Sequence, residues 1–261
     1  MKTRLTKLKF GIVASAAAGL MAFASIASGA GVSWTYTGVT GASHWKTIDP
    51  VNNSACVDGS AQSPINIVNP VKKNLVNLKF DYIKGEAGIF NNGHTVEAEP
   101  LGSEKSSVVI NGVSYTFAQF HFHAPSEHEV NGMHYPVEVH FVHKTDSGKL
   151  AVVGVFIKAG KENSAWKAFT DKLTTATSDP EATTVEIDWA KLLPTLTETV
   201  RYDGSLTTPG CTEGVKWNVF TSPITMSQTQ INQFLEAYSG NNRPVQPLNK
   251  RIVTVDSTSN K

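Results

Sequence analysis

The 261-residue sequence lacks a Gly/Ser-rich or Pro-rich linker, an internal repeat and a low-complexity block after residue 30. These absences predict one large domain rather than several joined modules. The composition is 40% hydrophobic, 17% charged and 9% aromatic, which excludes a disordered chain, a collagen-like fibre and a coiled coil. A chain of this length can bury most of its apolar surface in one or two cores.

An excess of one charge sign is also missing. The formal net charge is +1. All four charges in the first thirty residues are basic, which leaves 19 basic against 22 acidic residues, or −3, for the rest of the chain. A mildly acidic body without a basic stripe argues against nucleic acid as the main partner.

Long apolar runs are absent except for residues 10–26, which follow a basic segment and precede Ser28-Gly29-Ala30. Small residues at these positions suit signal peptidase, so we expect residues 1–30 to be a secretory signal peptide. A single membrane anchor is the alternative, although the run is short and is interrupted by glycine and serine. We expect residues 31–261 to be a soluble mature domain, periplasmic or secreted, that does not contact the membrane.

Cysteine is scarce, and Cys56 and Cys211 are the only pair. Export would place them in an oxidising compartment, where they can form a disulfide. The sequence does not show that their Cα atoms lie within bridging distance, so two free buried thiols are the alternative.

Short runs rich in β-forming residues are the commonest pattern. Turn signals separate them, and the clearest are residues 75–82, 95–98, 107–110, 114–123, 137–143 and 151–157. Asn111-Gly112 lies between two of these runs and predicts a hairpin. Helical patterns are few: residues 164–173, a turn near 188–193, and 227–238, which opens with the capping-box pair Ser227 and Gln230. The fold class is therefore α+β, mainly β, in a single domain around one large sheet. Periodicity alone leaves the topology open.

Histidine is concentrated in one region, since six of the eight lie between residues 121 and 143. Residues 119–123 alternate with period two, which places Gln119, His121 and His123 on one face of a strand and two phenylalanines on the other. Residues 138–143 alternate in the same way, with Glu138 and His140 on one face. If the two strands pair antiparallel, three imidazoles converge beside a glutamine and a glutamate.

Three neutral imidazoles with an open fourth position are typical of a catalytic zinc site. Gln119 and Glu138 are placed to accept the other ring N–H of a ligand and so to fix its tautomer. Isolated surface or core histidines are the alternative for each ring alone. A second alternative is the cupin metal motif, which His121, His123 and Glu127 also fit, with the glutamate as a ligand. The glycine that this motif requires before the first histidine is missing.

The sequence resembles the α-class carbonic anhydrases along nearly the whole of residues 31–261. The matching segments, in chain order, are QSPINI (62–67), NNGH (91–94), QFHFH (119–123), SEH (126–128), EVHFVH (138–143), SLTTPGC (205–211) with Trp217, and NRPVQPL (242–248). Any one of these segments is modest evidence, but seven in the family's order make chance implausible. The S-L-T-T-P loop and the third histidine are unexplained by the cupin alternative.

The resemblance implies a large, mostly antiparallel twisted sheet with a few short helices and zinc at the bottom of a conical cleft. It implies reversible hydration of CO2 to bicarbonate and a proton by attack of zinc-bound hydroxide on CO2. By the same resemblance His121, His123 and His140 are the ligands of one Zn²⁺ per chain. CO2 and bicarbonate are then the partners of the chain, and relatives of this type often form homodimers.

Further roles follow from the resemblance. Thr207 would accept a hydrogen bond from the nucleophile and donate its own to Glu127. The alternative interpretation of Glu127 is an ordinary surface carboxylate. Thr208 would line the substrate side of the cleft. The remaining residues would form the apolar wall for CO2, and they are Val142, Leu206 and Trp217.

The resemblance also implies a proton path. His94 would be the proton shuttle, with an ordinary exposed loop histidine as the alternative. Tyr36, Asn92 and Glu97 would order the intervening waters. Glu97 replaces a commoner neutral amide, and a carboxylate close to His94 would raise the pKa of the imidazole.

Two further expectations concern the rest of the chain. The disulfide pattern of exported relatives matches Cys56 and Cys211, and a bridge there would anchor the loop of Thr207. The other four histidines are expected to be structural or surface groups, and they are His44, His128, His134 and His143. A zinc-binding but inactive relative is the second function class, although such relatives usually lose a ligand histidine and this chain keeps all three.

Overall fold

The computed structural model describes residues 32–196 and 198–256. The expected signal peptide, residues 1–30, lies outside the described residues. Within the described ranges the strands are β1 (Asn66–Ile67), β2 (Val71–Lys73), β3 (Lys79–Asp81), β4 (Lys84–Asn91), β5 (Val96–Pro100), β6 (Ser107–Ile110), β7 (Val113–His123), β8 (Glu129–Val130), β9 (Val137–Lys144), β10 (Leu150–Ala159), β11 (Thr184–Asp188), β12 (Thr199–Ser205), β13 (Glu213–Phe220), β14 (Ile224–Met226) and β15 (Thr254–Asp256).

Helices are few and short, as predicted. The α-helices among the described residues are α1 (Trp45–Ile48), α2 (Ala55–Asp58), α3 (Lys167–Thr170) and α4 (Gln228–Ala237), and the 3-10 helices are Gly38–Thr40, Ala42–His44, Ser164–Trp166 and Trp189–Leu192. The capping box predicted for α4 is present, because Ser227 accepts from the Gln230 backbone and the Gln230 side chain accepts from Ser227. In this part of the chain no helix is long and apolar enough to span a membrane.

One large sheet organises the fold. Its strands run in the order β11-β4-β5-β7-β9-β10-β13-β12-β15-β2, with β6 beside β7, β3 beside β6, and β14 beside β10. The pairs β10–β13, β10–β14 and β15–β2 are parallel and the other pairs of this sheet are antiparallel, so the predicted mainly antiparallel sheet is confirmed. The β6–β7 hairpin turns at Asn111 and Gly112, whose φ angles of 50° and 80° suit the tight turn that this pair predicts.

The strand predicted over residues 75–82 is wrong in extent. Only Lys79–Asp81 forms a strand, and its three residues pair with β6. Residues 74–78 are not in a strand, and the Leu75 amide donates to the side chain of Asp256, at Oδ1, over 3.3 Å. A period-two pattern indicates that a segment is able to form a strand. The strand forms only where the edge of a neighbouring strand is available for pairing.

The central strands β7 and β9 separate an apolar face from a histidine face. Phe120, Phe122, Val139 and Phe141 are fully buried in the main hydrophobic core. The residues between them point to the other face of the sheet. The alternation predicted for both segments is therefore confirmed, and His121, His123 and His140 project away from the core into a cleft.

The predicted disulfide is present. Cys56 in α2 is bonded to Cys211, and their Cα atoms are 5.0 Å apart. The bridge lies in a small core of its own with Trp34 and Trp45. It joins the N-terminal segment to the loop that follows β12.

Candidate metal centre

The register of β7 and β9 brings three imidazoles together. In this antiparallel pair His121 lies opposite His140, and His123 lies opposite Glu138. One ring nitrogen from each of His121, His123 and His140 lies within 4.8 Å of the others. The convergence expected from the two alternating segments is therefore the observed geometry.

A hydrogen-bond acceptor lies beside each of the three rings and sets its tautomer. Nδ1 of His121 lies 2.9 Å from Oε1 of Gln119, and Nδ1 of His123 lies 2.7 Å from the main-chain oxygen of Asn241. Nε2 of His140 lies 3.0 Å from Oε1 of Glu138, an ion-pair contact whose geometry is not that of a hydrogen bond. With these nitrogens protonated, lone pairs remain on Nε2 of the first two rings and on Nδ1 of the third.

The free nitrogens fit a metal ion. Nε2 of His123 is buried and has no hydrogen-bond partner among the described residues. A buried ring nitrogen without a partner is costly unless a ligand occupies the space in front of it. Burial, and then the neighbouring imidazoles, lowers the pKa of His121, and burial also lowers that of His123. The His121 and His123 rings are therefore neutral at physiological pH, which is the form that binds a metal.

Glu138 anchors one side of the site. Its Oε2 accepts from the backbone amides of Glu127 and His128 at 3.0 and 2.8 Å, and its Oε1 lies 2.7 Å from Nδ1 of His128. Burial alone would raise the pKa of Glu138, but His128 and His140 with their hydrogen bonds lower it well below its usual value. Glu138 is therefore an ionised acceptor that holds the His140 ring.

The histidines expected to be structural lie outside the triad. Nε2 of His128 lies 2.6 Å from the Tyr202 hydroxyl, so its predicted hydrogen-bonded core position is confirmed. His143 is fully buried on the opposite face of β9, 2.5 Å from the Tyr82 hydroxyl. His134 is partly exposed and lies 2.7 Å from the Ser126 carbonyl.

Glu127 is fully buried, which excludes the surface carboxylate considered as its alternative. Its Oε1 accepts from the Arg243 amide at 2.8 Å, and Oε2 has no hydrogen-bond partner among the described residues. Its Oε1 lies 3.6 Å from Nδ1 of His123. Its Oε2 lies 3.9 Å from Nδ1 of His140, so Glu127 lies beside two of the three rings. Thr207 is buried in the same region, and its contact with Glu127 stays a prediction.

One cleft gathers nearly all the residues singled out in the sequence. Of these residues it is lined by Tyr36, Asn92, His94, Glu97, Gln119, His121, His123, His140, Val142, Leu206, Thr207, Thr208 and Trp217. Glu127 and Glu138 lie behind this lining. The apolar side chains Val142, Leu206 and Trp217 pack in one hydrophobic cluster, so one wall of the cleft is apolar while the opposite side carries polar groups.

His94 lies at the end of a tight turn, where its amide donates to Oδ1 of Asn92 at 2.9 Å. Its ring stacks on Trp34 with the ring centroids 3.6 Å apart, so it is not an ordinary exposed loop side chain. The pKa of His94 is lowered by burial, and Glu97 is not among the groups that shift it. Glu97 instead accepts from the Asn92 amide, and burial raises the pKa of Glu97 to about 7.

The disulfide is tied to the loop of residues 206–212. Nε2 of Gln62 donates to the Cys211 carbonyl at 3.0 Å, and the Gly210 amide donates to Oδ1 of Asn53 at 2.7 Å. These bonds and the bridge fix the loop that carries Thr207 and Thr208 to the N-terminal segment.

Four residues of the site were not singled out in the sequence: Trp34, Thr95, Val152 and Asn241. Trp34 and Val152 line the cleft, and Asn241 lies 118 positions from the histidine that it contacts. Val152 lies opposite Val142 on β10 and so follows from the β9–β10 register. Asn241 directly precedes the NRPVQPL segment, which was the one signal that could have marked it.

Comparison with known proteins places this geometry in a family. Residues 40–257 match the eukaryotic-type carbonic anhydrases. A carbonic anhydrase of Klebsiella pneumoniae is 39% identical over 221 residues, which are 84% of this chain and 89% of the relative. One from Neisseria gonorrhoeae is 37% identical over 89% of this chain and 91% of its own length.

A solved structure agrees. The α-carbonic anhydrase of Thermovibrio ammonificans, in complex with the inhibitor sulfanilamide, superposes with a TM-score of 0.79 at 42% identity and covers 86% of this chain and 100% of its own. Both the sequence and the fold match over most of the described residues. The chain belongs to the α-class, or eukaryotic-type, carbonic anhydrase family, whose members are lyases that hydrate CO2.

Proposed function

We propose that this chain hydrates CO2 reversibly to bicarbonate and a proton with one Zn²⁺ held by His121, His123 and His140, and that His94 carries the proton away. The observation that supports the proposal most strongly is the set of three converging ring nitrogens, one of them buried and without a partner. The substrates are CO2 and bicarbonate, as the family implies.

The donor set suits zinc because three neutral imidazoles leave the full charge of the ion and one open position. Zinc bound in this way lowers the pKa of a coordinated water and so supplies a nucleophile near neutral pH. Gln119 and Glu138 hold the His121 and His140 rings through their outer nitrogens. The main-chain oxygen of Asn241 does the same for His123.

Thr207 and Glu127 orient the nucleophile in this proposal. The free Oε2 of Glu127 is an acceptor without a partner among the described residues, and a donated hydroxyl proton from Thr207 would satisfy it. With its proton committed to Glu127, the Thr207 oxygen can only accept a hydrogen bond from the nucleophile. This arrangement turns a lone pair of the nucleophile toward the substrate.

CO2 is linear and apolar, so its site needs an apolar wall next to the nucleophile. Val142, Leu206 and Trp217 supply that wall, and Thr208 gives the cleft a polar contact for the bicarbonate product. The indole nitrogen of Trp217 donates to the Ser205 carbonyl at 2.9 Å, which fixes the ring that forms part of the wall.

His94 is suited to proton transfer because it lies in the cleft apart from the ligand strands and titrates below its ordinary pKa. Tyr36, Asn92 and Glu97 line the same cleft as His94 and the triad, where their polar groups can hold water. Burial first, and then the charges of Glu127 and Glu97, raises the pKa of Tyr36 well above its usual value, so its hydroxyl stays protonated.

The domain assignment and the location belong to the same proposal. Residues 1–30 direct export and are removed, and residues 31–261 form the catalytic domain in the periplasm or outside the cell. The Cys56–Cys211 disulfide supports this, because disulfides persist in oxidising compartments. N-terminal sequencing of the mature protein should begin at residue 31, and the mass measured by light scattering decides whether it forms the homodimer expected from its relatives.

The function is tested by stopped-flow CO2 hydration with purified protein before and after zinc is removed with a chelator. We expect activity to be lost with the metal and to return when one zinc per chain is restored. Stoichiometric zinc binding without hydration would contradict the proposed activity and identify the chain as a zinc-binding relative without catalysis.

A further inference from the structure

The side chain of Asn241 links two parts of the site that are distant in sequence. Asn241 is 3% exposed and lies behind the ligand strand β7. Its Nδ2 donates to the main-chain oxygens of His94 and Phe122 at 3.1 and 3.0 Å. Its Oδ1 accepts from the Ala124 amide at 2.8 Å. One amide group therefore joins the turn of His94 to the backbone on both sides of His123.

We propose that Asn241 is a positioning residue for proton transfer: its side-chain amide sets the distance between the His94 turn and the metal-ligand strand. The inference rests on the proposed function, because it concerns His94 as the proton shuttle. In this proposal Asn241 acts through His94. Its side chain contacts neither the metal site nor the substrate.

The turn of His94 has few other attachments to the ligand strand. Oδ1 of Asn92 accepts from the amides of His94 and Thr95, which shapes the turn internally. The Thr95 hydroxyl donates to the Phe122 carbonyl at 2.7 Å and accepts from the Phe122 amide at 3.3 Å, which fixes the far end of the turn. Asn241 supplies the bond to His94 itself, so loss of its side chain releases the His94 carbonyl from the ligand strand.

The side chain and the main chain of Asn241 do different things. The main-chain oxygen accepts from Nδ1 of His123, and this bond survives any substitution of the side chain. Loss of the amide should therefore leave the metal ligands in place and move the His94 turn. A displacement of about 1 Å of a reacting group can lower a rate by up to about 100-fold.

Displacement of the His94 turn should slow one step of the reaction, the transfer of the proton out of the site. The proton leaves in a step separate from the addition of CO2, so slower proton transfer lowers kcat and leaves kcat/KM unchanged. A general loss of folded protein would instead lower both constants equally. The ratio of the two effects separates a positioning role from a structural one.

The test compares Asn241→Ala, His94→Ala and the double variant by stopped-flow CO2 hydration per bound zinc. Asn218→Ala is the matched control, because Asn218 is also buried and its Nδ2 donates to the Lys216 carbonyl, away from the cleft. We expect Asn241→Ala to lower kcat about 3- to 10-fold with kcat/KM unchanged within about twofold. The double variant should match His94→Ala, since coupled residues give non-additive effects.

A second readout does not depend on activity. The His94 ring protons lie against the Trp34 indole, so they should carry upfield ring-current shifts in the NMR spectrum of metal-free and zinc-loaded protein. We expect these shifts to shrink in Asn241→Ala and to stay in Asn218→Ala. If Asn241→Ala does not fold, Asn241→Asp serves, because it removes the donors and keeps the acceptor for the Ala124 amide.

The outcomes separate two failures. An unchanged kcat in His94→Ala overturns the shuttle assignment and this inference with it. A lowered kcat in His94→Ala, together with unchanged His94 shifts or an equal fall of kcat and kcat/KM in the Asn241 variant, overturns the positioning role alone.

Discussion

His121 and His140 occupy paired positions on adjacent antiparallel strands, and their imidazole rings lie 5.4 Å apart, centroid to centroid, at 88° to each other. Because side chains alternate along a strand, His123 joins the same face two positions further on. The metal centre is thus a consequence of strand register. A slip of one residue between β7 and β9 would turn one set of imidazoles into the phenylalanine core.

Gln119→Leu tests the outer partner of a ligand. The change removes the acceptor of Nδ1 of His121, so the ring loses its fixed tautomer. We expect zinc affinity to fall about 10- to 100-fold, measured by competition with a chelator, while the fold is retained. Gln228→Leu, at an exposed position in α4, is the matched control and should bind zinc as the wild type does. Equal affinities for the two variants would contradict the role of Gln119.

Thr207→Ala tests the orientation of the nucleophile. In the proposed mechanism the Thr207 hydroxyl is the donor to the free oxygen of Glu127 and holds the nucleophile in one direction. We expect kcat/KM to fall about 100-fold with zinc content unchanged, because misorientation costs that order of rate. Thr207→Ser keeps the hydroxyl and should retain most of the activity. Normal kcat/KM in the alanine variant would remove Thr207 from the mechanism.

Replacement of both Cys56 and Cys211 by serine tests the disulfide. The bridge closes a loop with a sequence separation of 155, and in the chain-entropy account its loss lowers the free energy of unfolding by up to about 5 kcal/mol. Urea unfolding of the oxidised wild type and the double variant gives the difference. Reduction of the wild type should reproduce the effect. Identical unfolding midpoints would show that the bridge contributes nothing to stability.

His143→Gln tests a source of acid sensitivity. Burial lowers the pKa of His143 to about 3, while in the unfolded chain it is about 6.5. The unfolded state then binds the proton first, so the stabilising contribution is complete above pH 6.5 and is lost as the pH falls toward 3. Between pH 7.5 and pH 5 the loss is about 2 kcal/mol.

The measurement is urea unfolding of metal-free wild type and variant at both pH values. The three histidines of the candidate metal centre are the same in both proteins, so their contributions cancel in the difference. We expect the wild type to lose about 2 kcal/mol more than the variant. The same loss in both proteins would show that His143 does not carry this pH dependence.

The sequence predicted the parts of the fold that depend on local alternation. The run 107–110 coincides with β6, and the runs around the histidines differ from β7 and β9 by one residue at an end. Each of these segments has a neighbouring strand on both sides. The run that was predicted too long, 75–82, pairs as a strand over only three residues. A local sequence pattern does not indicate whether a neighbouring strand will be available for pairing.

The sequence predicts those contacts of the site that join residues close together in one segment. Gln119 and Glu138 are each two residues from a histidine of the triad, so their position on the same face follows from the strand period. Asn241 is distant from His123 in the sequence and contacts it only in the folded chain. The same holds for Trp34 and His94. The effect of Glu97 on His94 was left open because the sequence does not reveal that Glu97 is hydrogen-bonded to Asn92 and buried.

The most direct test of the account is a crystal structure of the zinc-loaded protein with anomalous diffraction at the zinc edge. The account predicts one zinc per chain bound by Nε2 of His121, Nε2 of His123 and Nδ1 of His140, with Zn–N distances of about 2.0–2.1 Å and an open fourth position. Zinc bound instead by Glu127, or by His128 and Glu138 with His140, would contradict it.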